Sequence, residues 1–370
     1  MLNEAKRGSL VDDRDRSFKG WIKGIIPWKG DGVVEIIRKL VFIAAVGYLI
    51  FWVVYAYNYN FGSKSMIEDN KTLAELFTNG STDDVTEPDP NVPEHGPDTP
   101  SHVDDQPGSE LPEKPEPVML QNFQNLYNIN PDIAGWISID GITLDDGSLA
   151  INYPVVQNGD NDYYLEHDFY GAVKEYGALF VDYRADIRPD TRSSNITIYG
   201  HNMKAEAYFH HLRDYNRTSA SFVSDHRIVN FTSLYSEDKY IIIGCFLVSV
   251  NEEDDNQPLF PYHNCVEFNT LADFDYWYKN MMYRNYYTTD IECDMNDEYL
   301  TLSTCSFEIG DARFVVVARK LHPGEDPEQY TYESNKKRHM PKKYLTANGL
   351  KVTEDDGPDY EYYQPPQTEG

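Results

Sequence analysis

Hydrophobic and polar positions divide the chain into stretches of different character. Residues 40–57 (LVFIAAVGYLIFWVVYAY) hold no charged side chain. At helical rise they span about 27 Å, close to the hydrocarbon thickness of a bilayer. A soluble core helix of that length ordinarily keeps a polar face, and this one has none. Trp52, Tyr55 and Tyr57 sit toward its outer end, where amphipathic rings favour a membrane interface. Between residues 118 and 322 the pattern changes to short runs rich in β-branched and aromatic residues, bounded by Gly, Asp, Asn and Pro. Seven such runs predict strands at 133–140, 149–156, 178–182, 195–199, 240–250, 299–304 and 313–319. Helical spacing appears at 118–129 and 271–283. The expected fold is mainly β: a closed or nearly closed barrel of about seven to eight strands. It has a leading helix, one helix inserted before the 299–304 strand, and a separate N-terminal transmembrane helix.

The flanks differ in kind. Lys6, Arg7, Arg14, Arg16, Lys19, Lys23, Lys29, Arg38 and Lys39 precede the apolar span and acidic residues follow it. The positive-inside rule therefore places residues 1–39 in the cytoplasm and the rest of the chain outside. A cleaved signal peptide fits less well, because no A-x-A-like site follows the span. Residues 58–117 read as an extracellular stalk dense in Pro, Asp and Glu, with a short amphipathic helix conceivable at 66–79. Residues 323–370 read as a disordered tail. Its basic run at 336–343 (KKRHMPKK) is expected to be a solvated charge cluster more than a contact for wall or membrane polyanions.

Composition narrows the function. A formal net charge of −29 argues against nucleic acid as a partner. The four cysteines, Cys245, Cys265, Cys293 and Cys305, form no CxxC pair and no zinc-finger spacing with histidine. A disulfide framework is not expected in so long a chain, although Cys265 with Cys293 is a conceivable bridge. The acidic run 252–255 lacks the spacing of a calcium loop and reads as a solvated turn. No metal or organic cofactor is expected.

Three residues suggest chemistry. Cys305 ends the run YLTLSTC at a strand exit, where a side chain meets a rim; Cys245, inside IIIGCFLVSV, reads as a small buried hydrophobe. His201 follows another strand in NITIYGHNM, after Gly200, which permits a tight turn. A neighbouring imidazolium favours the reactive thiolate and can protonate a leaving amine. Arg313 opens RFVVVAR after the loop leaving Cys305, so an antiparallel pair would return it beside the thiol, where a guanidinium could hold an oxyanion. On the residues alone, a surface ion pair of Arg313 with Asp311 or Glu308 is the favoured explanation. The pair His210 and His211 lies in a polar, helix-like stretch and reads as solvated.

The runs YGHNM at 199–203 and TLSTC at 301–305, with Arg313 opening the next strand, resemble the sortases, specifically class B. The resemblance covers roughly residues 118–321. The helix inserted before the nucleophile strand is similar to one that class B carries. It implies His201, Cys305 and Arg313 as the catalytic set of a cysteine transpeptidase. The segment GDNDYYLEHDF at 159–169 resembles the class B segment that lines the sorting-signal groove, which implies Asn161 and Leu165 as substrate contacts. Ser303 and Thr304 would lie beside the acyl intermediate. The implied substrates are secreted proteins with a C-terminal sorting signal, cleaved after Thr. The implied acceptor is an amine of a peptidoglycan precursor or a pilin. The implied setting is the cell membrane of a Gram-positive bacterium, spanned once, with the catalytic domain outside. An L,D-transpeptidase would normally place Gly before its cysteine, where this chain has Thr304. A papain-like peptidase would place its cysteine ahead of its histidine. The remaining alternative is a stalked surface binding protein with a non-catalytic domain of this fold.

Overall fold

The computed structural model describes residues 22, 24–80, 117–203, 206–216, 219–306 and 309–352. The proposed cytoplasmic segment up to residue 21, most of the proposed stalk and the last part of the proposed tail lie outside these residues. The chain forms two compact units, Met1–Glu68 and Asp69–Gly370.

In the first unit, helix α1 (Val33–Asn79) begins, and its stretch Val33–Val53 is long and apolar enough to cross a membrane. Only 6% of that stretch is buried within the structure, so most of its apolar surface is not covered by protein. The apolar window thus starts ahead of the expected 40–57 span. The side chains of Tyr55 and Tyr57 lie outside the described residues.

The second unit is built on a closed eight-stranded barrel. Its strands are β1 (Ile133–Ile139), β2 (Asn152–Val156), β3 (Leu179–Val181), β4 (Asn195–Tyr199), β5 (Ile228–Ser233), β6 (Glu237–Ser249), β8 (Tyr299–Cys305) and β9 (Ala312–Lys320). A short strand, β7 (Tyr287–Thr289), lies outside the barrel. The order around the barrel is β1-β2-β3-β4-β8-β9-β6-β5. β2–β3 and β4–β8 are parallel; the other neighbours are antiparallel. Parallel neighbours need a long crossover, and the one from β4 to β8 contains β5, β6 and the inserted helix. Because β4 and β8 run the same way, the residues just past their ends emerge at one rim.

The inserted helix, α4 (Leu271–Arg284), starts on a capping box between Thr270 and Asp273. It buries Phe274, Trp277 and Met281, spaced three and four apart on one stripe. These pack with Tyr299, Val315 and Val317, one face of β8 and β9. Two smaller helices, α2 (Gln124–Ile129) and α3 (Ala220–Asp225), lie elsewhere on the unit. The expected leading helix at 118–129 is shortened to a 3-10 turn, Gln121–Phe123, running into α2.

Both expected boundaries of the folded domain move outward. Residues from Asp69 on belong to the barrel unit. Leu73 is buried with Phe123, Leu126 and Trp136, and Phe77 stacks on Trp136 at 4.6 Å. This part of the proposed 58–117 stalk is therefore a covering element, because it supplies the apolar face that the barrel's β1 side needs.

The proposed tail is also folded as far as residue 352. Strand β10 (Tyr332–Ser334) pairs antiparallel with β7, and α5 (Lys342–Ala347) follows. His339, Met340 and Leu345 are buried. His339 Nε2 lies 2.8 Å from Asp255 and its ring stacks on Tyr283; Lys343 donates to Asp254 at 2.8 Å. The acidic turn at 252–255 is thus engaged by Lys343 and His339 of the C-terminal segment and is not simply solvated.

Candidate active site

The site begins with register. In the antiparallel pair β8–β9, Cys305 is opposite Arg313. In the parallel pair β4–β8, Tyr199 is opposite Ser303. The pairing continues past the end of β4: Gly200 N–H donates to the Ser303 carbonyl at 3.1 Å, and Asn202 Nδ2 donates to the Cys305 carbonyl at 3.0 Å. His201 lies between these two tethers, so it sits alongside Cys305. Three adjacent strands therefore bring His201, Cys305 and Arg313 to one rim. Side chains alternate along a strand, so residues 301, 303 and 305 share a face. On that face Thr301 Oγ1 donates to Asn195 Oδ1 at 2.8 Å and Ser303 Oγ meets Tyr262 Oη at 2.6 Å.

Gly200 is required by close approach and not by an unusual turn. A Cβ there would lie 2.3 Å from Leu179 and 2.7 Å from Phe209. Its lack of a side chain lets the chain leave β4 flat against these two and carry His201 to the rim.

Cys305 is exposed. The other three cysteines are also free; Cys265 and Cys293 form no bridge. Burial pushes the Cys265 and Cys293 thiols up to about 12, which keeps them protonated and inert. Among the described residues Arg313 has no carboxylate partner. Its guanidinium donates only to the Ala312 carbonyl, at 3.3 Å, while Asp311 lies 3.7 Å from Lys343. Glu308 lies outside the described residues. His201 Nε2 donates to the Leu165 carbonyl at 3.1 Å. That bond assigns the Nε2 proton and leaves Nδ1 as the other ring position.

The four residues expected to meet substrate differ. Leu165 is exposed, and its carbonyl orients His201. Asn161 is committed internally: Nδ2 donates to Asp182 at 3.2 Å, and Oδ1 accepts from Tyr183 N at 3.0 Å. Ser303 lies on the face of Cys305 but is buried under Tyr262. Thr304 points to the opposite face, and its buried hydroxyl has no hydrogen bond among the described residues. His210 and His211 are not solvated. His210 is buried, which lowers its pKa, and His211 Nδ1 lies 2.9 Å from Asp214.

Two neighbours of the site escaped sequence reasoning. Tyr262, in the turn Tyr262–Asn264, closes over Ser303; burial pushes its phenol up to about 12 although Ser303 and Arg313 oppose the shift. Asn202 ties the β4 exit to Cys305. Both contacts join residues far apart in sequence; Tyr262 belongs to no recognisable motif, and although Asn202 lies within the YGHNM run, nothing in that run marks its contact with Cys305.

A family model described as the sortase domain matches residues 146–321. Two curated relatives are similar to this chain. Sortase B of Staphylococcus aureus is 27% identical over 199 residues, 53% of this chain and 73% of the relative. Sortase B of Listeria monocytogenes is 28% identical over 186 residues, 50% of this chain and 68% of the relative. Among solved structures, a Bacillus anthracis protein described as similar to sortase B has the same fold. It matches with a TM-score of 0.51 and 22% identity, over 70% of this chain and 96% of the other.

Proposed function

The chain belongs to the class B sortases, a family of cysteine transpeptidases, and on that premise we propose how its own residues carry the reaction. The observation that carries the reading is the meeting of His201, Cys305 and Arg313 at the ends of three adjacent strands. The Cys305 thiolate attacks the carbonyl carbon of the Thr in a sorting signal. Arg313 and nearby backbone N–H groups hold the oxyanion of the tetrahedral intermediate. The intermediate collapses, the C–N bond breaks, and His201 protonates the departing amine. A thioacyl enzyme remains. An amine of a peptidoglycan precursor or a pilin lysine then attacks the thioester. His201 takes its proton, Cys305 leaves as thiolate, and a new amide bond forms.

The acyl donor is a secreted protein with a C-terminal sorting signal. Leu165 borders the groove from one side and the turn that carries the buried Tyr262 from the other; Asn161 acts through the backbone it holds. The apolar span at the start of α1 anchors the protein, with the basic N-terminal segment in the cytoplasm and the barrel outside. The test is cleavage of quenched sorting-signal peptides by the full chain beside Cys305→Ala, with and without an added amine. Cleavage after Thr by the wild type alone, and an amide product when the amine is present, supports the reading. Peptide binding without cleavage would favour the non-catalytic surface protein.

A further inference from the structure

A half-buried ion pair joins the Asn161 segment to the Tyr262–Asn264 turn. Asp182 follows β3, and its carboxylate is fully buried. It accepts from Tyr199 Oη at 2.8 Å, two residues before His201, and from Asn161 Nδ2 at 3.2 Å. Arg184 grips it with two parallel bonds, Nε to Oδ1 at 2.8 Å and Nη2 to Oδ2 at 2.7 Å. The same guanidinium reaches across to the Tyr262–Asn264 turn. Nη2 donates to the His263 carbonyl at 2.7 Å and Nη1 to Asn264 Oδ1 at 2.9 Å. One wall of the groove, the Asn161 segment leading to Leu165, therefore ends on Asp182. The other wall, which carries Tyr262 over Ser303, ends on Arg184. A planar guanidinium with five donors in a fixed fork is the side chain that can serve a carboxylate and two carbonyl-type acceptors together.

We propose that Arg184 is a positioning residue that, held by Asp182, sets the spacing of the two groove walls and thereby the fit of the acyl-donor peptide beside Cys305. The proposal rests on the transpeptidase reading for its consequence, but the bridge itself can be tested without it. Full removal of Arg184 would strand a buried carboxylate and endanger the fold. Arg184→Lys keeps the charge beside Asp182 and loses the reach to the turn; Asn264→Ala removes one arm from the other end.

The measurement is made on the full chain. Thioacylation of Cys305 by a sorting-signal peptide is compared with alkylation by iodoacetamide, which is too small to need the walls. For both variants we expect peptide kcat/KM to fall about 5–10-fold, mainly through KM, with iodoacetamide rates and melting temperatures unchanged. The double variant should be no worse than Arg184→Lys, since both act on one bridge. Hydrogen exchange in the peptide-free protein should accelerate in Arg184→Lys at both segments, 161–165 and 262–265. Unchanged exchange at the two segments overturns the bridge, whether or not any peptide is turned over. Faster exchange with unchanged peptide kinetics overturns its role in substrate fit. A parallel fall in iodoacetamide rate overturns the assignment to the walls and moves the effect to Cys305 itself.

Discussion

Cys305 and Arg313 form the terminal pair of the β8–β9 ladder, directly opposite one another at the barrel rim. The two side chains share a face and lie on strands whose hydrogen bonds fix their spacing; under the proposed mechanism the guanidinium would hold the oxyanion of a carbonyl attacked by the thiol. Arg313→Ala should lower peptide kcat/KM by about 10²–10³-fold, the usual loss for one oxyanion donor, while iodoacetamide still labels Cys305. Arg313→Lys should recover only part, because an ammonium lacks the planar fork. Single-turnover acylation read by mass spectrometry separates the two effects.

The four thiols should differ sharply in reactivity. Cys305 is exposed, Cys245 is buried, and burial holds Cys265 and Cys293 at about 12. At neutral pH a small alkylating reagent should add one label per native chain, and none to Cys305→Ala. Intact mass before and after denaturation checks this, and four labels are expected once the chain is unfolded.

The folded domain should need both of its flanks. A fragment of residues 118–321 would lack Leu73 and Phe77, which cover Phe123 and Trp136, and the C-terminal segment that buries Met340 and Leu345. We expect residues 69–352 to melt cooperatively and the shorter fragment to melt well below them or aggregate. Leu345→Ala alone should cost about 2–3 kcal/mol, near the low end for burying a cavity of that size. Urea denaturation measures it.

Acid should weaken one contact in the C-terminal segment. Burial alone raises the Glu325 pKa, but hydrogen bonds from Arg319, Tyr330 Oη and His322 N outweigh it and bring the carboxyl down to about 2. A depressed carboxylate stabilises the fold above the unfolded value, near 4.5, and that stabilisation is lost as pH falls toward 2. Glu325→Gln should therefore melt lower than wild type at pH 7, with the difference shrinking as pH drops below about 4.5. Melting curves of both proteins across that range provide the check.

Much of the site was legible because its parts are local. YLTLSTC and RFVVVAR are strands by composition and the intervening loop is short, so the pairing of Cys305 with Arg313 follows from chain geometry. The barrel was legible for the same reason, since its strands are dense in Val, Ile, Leu and aromatics. β5 was missed: IVNFTS alternates buried and half-buried positions, and its polar residues hide a strand between two turns. The C-terminal segment was missed because it buries few side chains among many charges; what fixes it are long-range partners, such as His339 with Asp255. Asn161 was legible as a position but not as a role. Its amide is spent on Asp182 and Tyr183, and a hydrogen bond between distant segments leaves no periodic trace in a sequence.

The most direct test of the account is the covalent intermediate itself. The full chain would be mixed with a panel of sorting-signal peptides, quenched in acid, digested and sequenced by mass spectrometry. The account predicts a peptide acyl group ending in Thr, joined as a thioester to Cys305 and absent in Cys305→Ala. It would be contradicted by amide cleavage that persists in Cys305→Ala, or by an acyl group found on another residue.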